Sequence, residues 1–164
     1  MGMNLPGELV TFLNMLGYNW PQADEEKLFK MGEKWMGFSG KLDQVNQNGQ
    51  QAASQVWTQN SGANIQAFQE HWNHEDGPTK VLTNGSTAST LVGAGLAIVA
   101  GIVLALKINV IVQLVILAIQ IAQAIATAAV TFGASLAEIP IFQQISRQIV
   151  GEIINQVIMQ LLNA

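Results

Sequence analysis

Residues 91–130 read LVGAGLAIVAGIVLALKINVIVQLVILAIQIAQAIATAAV and carry one charge, Lys107. A run this long and this apolar is helical, and it has to be covered by other helices, by a second chain or by a bilayer. Ser89, Gly93, Ala97, Gly101 and Ala105 recur every four residues along a helix expected from Thr87 to Leu106. Such a ridge of small residues lets another backbone approach closely, in lipid or in water. The KIN triplet at 107–109 is expected to bend or interrupt the helix. From Ile108 to Ala137 no residue is charged. Its polar side chains are Asn109, Gln113, Gln120, Gln123, Thr127, Thr131 and Ser135, and with Glu138 they follow one narrow helical stripe. Lipid has no use for that stripe. It suits a helix covered on its other sides, or one lining an aqueous path. Cover by helices is therefore the main expectation, and a membrane the alternative destination.

The first half of the chain supplies candidates for the cover. Pro6 suits a first helical turn, Leu9, Phe12, Leu13 and Leu16 share a face, and Gly17 suits the position past the end. A second helix is expected to start at Asp24, a good N-cap followed by Glu25 and Glu26. It carries a heptad seam. Leu28, Trp35, Leu42, Gly49 and Val56 repeat every seven, with Met31, Phe38, Val45 and Ala52 between them. That is the spacing of a helix that packs on another helix. QNSG at 59–62 is turn chemistry, and Ile65, Phe68 and Trp72 then give a returning helix. NHEDGP and NGST, between 73 and 87, read as breakers. Pro140 is expected to end or kink the long apolar helix, and a last helix follows it. The expected fold is all-α, with about five or six helices. Residues 1–80 form a helical hairpin, and residues 81–164 an apolar extension packed on it or on a partner.

Composition excludes several functions. The formal net charge of −4 offers no basic footprint for nucleic acid. With no cysteine there are no disulfides or thiolate sites. His71 and His74 share a helix face, but their spacing with Glu70, Glu75 and Asp76 is not a usual zinc pattern. They are also the only histidines, so no Ser-His-Asp arrangement can be drawn, and no phosphate loop is present. The four tryptophans fit core or interface positions better than a ligand box. No enzyme, metal or cofactor is expected. MGMNLPGELV lacks the basic start and the apolar run of a signal peptide.

LPGEL, GYNWPQADEEKL, KWMGF and VWTQNSGANIQAFQEHW together resemble the WXG100-like N-terminal domain of actinobacterial type VII (ESX) secreted toxins, the CpnT-like channel–toxins among them. The resemblance covers roughly residues 4–80. It implies a helical hairpin that pairs with itself or with a small helical WXG100-type partner and engages the type VII secretion machinery. A toxin would follow in a longer chain, and the destination would be secreted or the cell envelope. Trp57 takes the place of the turn tryptophan and Gly62 that of the turn glycine, four residues apart rather than one. A literal Trp-x-Gly at Trp35–Gly37 falls inside the seam and reads as coincidence. The small-protein export signal is not matched, since Tyr18 is followed four residues later by Gln22. The residues expected to carry helix packing are Leu28, Trp35, Phe38, Leu42, Gly49, Val56, Trp57, Gly62, Phe68, Trp72, Gly93, Ala97 and Gly101. The alternative to a recognition domain is a membrane-inserting or pore-forming module that helps a downstream toxin or solutes across.

Overall fold

The computed structural model describes residues 2–163. The described residues form α1 (Gly7–Met15), α2 (Glu25–Gln59), α3 (Ala63–Asn73), α4 (Pro78–Thr127) and α5 (Ile139–Leu162), with a short 3-10 turn at Ala134–Glu138. No strand occurs among them. Residues 63–127 run as one helical arm, interrupted only around His74–Gly77. The helical segments therefore number four, not five or six. The chain divides into two compact units, residues 28–97 and residues 1–27 with 98–164.

The unit of residues 28–97 is a helical hairpin. Its turn lies at Asn60–Gly62. The Asn60 amide N–H and side-chain Nδ2 both donate to the Val56 carbonyl, closing the end of α2. Gly62 opens α3 at φ +125°, a conformation that favours glycine. Gly77 carries the joint between α3 and α4, where a Cβ would lie 2.5 Å from the Trp72 carbonyl oxygen. Pro78 then starts α4, where its missing N–H is no loss. NGST at 84–87 is therefore not a breaker. It lies inside α4 and supplies small residues to the hairpin seam.

The unit of residues 2–27 and 98–163 has the larger apolar core. Leu13, Leu16, Leu106, Val110, Leu114, Leu117, Val150 and Val157 are buried together. Gly17 closes α1 at φ +81°, with the Tyr18 amide donating to Leu13 O and that of Gly17 to Asn14 O. KIN does not end the helix: α4 runs on through it, and Lys107 has partners there. It is 2% exposed, and its Nζ lies 2.7 Å from Glu25 Oε2 and donates to Ala23 O at 2.7 Å. The Trp20 ring sits 5.8 Å away. α4 ends at Thr127, ten residues before the expected Ala137. Ser135 Oγ folds back onto Ala124 O at 2.7 Å, and Gly133 at φ +85° completes the turn. The polar stripe is thus split between a helix and a turn, and Gln113 spends its amide on Ser146 Oγ at 3.2 Å. Pro140 begins α5 instead of ending a helix.

Candidate partner face of the helical hairpin

The hairpin packs through small and polar residues. Gly32 on α2 meets Gly93 on α4 backbone to backbone. A Cβ on Gly93 would stand 2.9 Å from Gly32 O, and one on Gly32 would stand 2.8 Å from Gly93 O and 3.5 Å from Ala97 N. One heptad on, Ser39 Oγ shares hydrogen bonds with Ser86 Oγ (2.8 Å) and Thr90 Oγ1 (2.9 Å). A further heptad on, Asn46 Nδ2 donates to Thr83 Oγ1 at 3.1 Å. Ala53 is buried in the next. The inward seam is therefore Gly32, Ser39, Asn46 and Ala53, beside Leu42, which packs on Gly85.

This places the expected large residues elsewhere. Met31, Phe38 and Val45 precede the inward set by one residue, which turns them about 100° around the helix. They are 49%, 47% and 55% exposed, and Trp35 is 39% exposed. Trp35 and Phe38 meet edge to face at 6.2 Å between ring centroids. Met31, Lys34, Trp35 and Phe38 line a shallow groove of about 330 Å³. α2 thus presents its bulk outward and its small residues inward.

Toward the turn the packing is aromatic. Phe68 lies 5.8 Å from both Trp57 and Trp72. Gly49 leaves room for the Trp72 ring, whose Nε1 donates to Gln50 Oε1 at 2.7 Å. The structure thus brings together Gly49, Trp57, Phe68 and Trp72, and places Gly62 at the turn. Gly93 and Ala97 lie at the crossing with Gly32. Leu28 and Leu42 are half-buried, and Val56 is exposed. Gly101 belongs to the other unit and is exposed, with nothing within 4 Å of a Cβ built there. Gly32, Ser39, Ser86 and Thr90 were not among the expected packing residues. The signal for Gly32 and Ser39 is the seven-residue repeat of small or short polar residues at 32, 39, 46 and 53.

The WXG100 like domain matches residues 5–149. The chain belongs to this family. The match runs well beyond the 4–80 of the sequence resemblance and takes in all of α4 and part of α5. No curated protein and no solved structure matches the chain. WXG100 proteins are secreted helical proteins of type VII systems, generally non-enzymatic, and they typically form helical dimers. Among the described residues of this WXG100-like chain, no group of three His, Cys, Asp or Glu side chains gathers as a metal site.

Proposed function

We propose that this WXG100-like chain is a non-enzymatic export and assembly domain of a type VII (ESX) secreted polymorphic toxin, CpnT-like in kind, that works by helix–helix recognition. The observation that carries this reading is the outward stripe of Met31, Trp35, Phe38 and Val45. A hairpin that seals itself with glycine and serine keeps its large apolar side chains for something else, and a partner helix is the chemistry that fits them. Full burial of such a side chain is worth about 1.5–3 kcal/mol, and because these four are already about half covered, burying the rest contributes on the order of a few kcal/mol to pairing.

Phe38→Asp tests the proposal. The side chain contributes little to the hairpin interior, so circular dichroism and the melting curve stay as they are. Pairing, and export from a cell with a type VII system, are lost. Full export of the folded variant would refute the reading.

A second reading has its own observation. The 63–127 arm contains a stretch apolar enough to cross a membrane, and only 33% of it is buried. In that reading the apolar helices insert and help a downstream toxin or solutes across. Flotation with liposomes in the absence of detergent separates the two.

A further inference from the structure

The outward stripe has an edge. Lys34 and Lys41 stand one heptad apart on α2, both exposed and within the 28–97 unit. At 100° per residue they run beside Met31, Phe38 and Val45, on the side away from Gly32, Ser39 and Asn46. Lys34 lines the same groove as Met31, Trp35 and Phe38. The acids of α2 in this unit, Glu33 and Asp43, fall on other faces of the helix. Residues 78–97 of α4 carry a single charge, Lys80. Among the described residues neither Lys34 nor Lys41 has an ion-pair partner. A chain of formal net charge −4 therefore keeps one apolar stripe edged with uncompensated positive charge.

Edge charges beside a heptad seam choose the partner and its orientation more than they add affinity. We infer that the stripe receives a helix of a different chain, whose apolar seam is edged by Glu or Asp at seven-residue spacing in register with Lys34 and Lys41. A second copy fits less well. Its own α2 brings the same two lysines to the same edge, so like charges meet in an antiparallel pairing. This inference rests on the helix-recognition reading above and adds the chemistry of the partner.

The test uses the full chain and two synthetic four-heptad peptides. The peptides share one Leu/Ile seam and differ only in carrying Glu or Lys at both edges. Fluorescence anisotropy should show the Glu peptide binding roughly tenfold more tightly than the Lys peptide at low salt. The gap should close near 1 M salt, where the Debye length is about 3 Å. Lys34→Glu with Lys41→Glu should reverse the preference with helicity unchanged, and Phe38→Asp should remove binding of either peptide. Equal affinity for the two peptides, or a preference the double variant does not reverse, overturns the charge inference and leaves helix recognition standing. Absence of binding by either peptide overturns both. A homodimer in sedimentation that Phe38→Asp dissolves makes the occupant a second copy and overturns the inference. So does binding to anionic vesicles that the double lysine variant abolishes.

Discussion

Replacing Gly93 by alanine puts a methyl group where the two hairpin backbones touch. The new Cβ would stand 2.8 Å from Met36 Cγ and 2.9 Å from Gly32 O. The methionine side chain is half-exposed and flexible, so it can move aside cheaply. The carbonyl is backbone and moves only if α2 moves. Relief of the contact to an ordinary carbon–oxygen distance needs roughly half an ångström of separation, which also stretches the Ser39–Ser86 and Ser39–Thr90 hydrogen bonds one heptad away. Overpacking of this kind costs about 1–3 kcal/mol. Against it stands the helix preference of alanine over glycine, worth up to about 1 kcal/mol. Gly95 is the control, two residues further along the same helix with nothing within 4 Å of a Cβ built there. Gly95→Ala should stabilise by up to about 1 kcal/mol. The difference between the two variants isolates the contact at about 1–3 kcal/mol, with Gly93→Ala the weaker. Urea unfolding followed by circular dichroism measures it. Gly32→Ala combined with Gly93→Ala should cost less than the sum of the two, because both fill the same gap. Equal stability of Gly93→Ala and Gly95→Ala would refute the close crossing.

The ion pair of the other unit supports two linked expectations. Lys107→Met leaves the Glu25 carboxylate buried without its cation and should cost about 3–5 kcal/mol, with much of the loss recovered in Lys107→Met/Glu25→Gln, both read by thermal unfolding. Burial pushes the Glu25 carboxyl up, but hydrogen bonds from Lys107 and from the Met3 amide outweigh this and hold it below the usual carboxylate range. A depressed carboxyl contributes stability above its unfolded value near 4.5 and loses it as pH falls through its folded value. Stability measured against pH should therefore fall below about pH 4.5, and less steeply in Glu25→Gln.

Much of the helical content was legible in the residues. Pro6, Gly17 and Asp24 mark helix ends by local rules, and Asp24 Oδ1 does accept the Lys27 amide N–H at 3.0 Å. The α2 periodicity was legible too, but not which face it served. Apolar size favoured Met31, Phe38 and Val45 as the inner line, whereas close approach of two backbones rewards Gly32, Ser39 and Ala53. A heptad pattern alone does not separate a face that meets the chain's own helix from one left outward. NGST reads as a break because Asn, Gly, Ser and Thr weaken a helix locally, yet next to another helix the same residues permit contact and share hydrogen bonds. KIN reads as an interruption because a lone lysine is costly in an apolar helix. Glu25, distant in sequence, removes that cost, and no local pattern announces it. Pro140 reads as a helix end because proline is punctuation at either end, whereas the chain has already turned at Gly133 and Ser135.

In the proposed function the outward face of α2 docks on a partner helix during export. Radical footprinting of methionine oxidation tests it directly, comparing the chain purified alone with the assembled form recovered from cells that export it. Met31, 49% exposed in the isolated chain, should become protected on assembly, while Met159, 59% exposed at the far end of α5, serves as the reference. Oxidation of Met31 at the same rate in both forms, relative to Met159, would mean that this face of α2 stays uncovered and receives no partner helix.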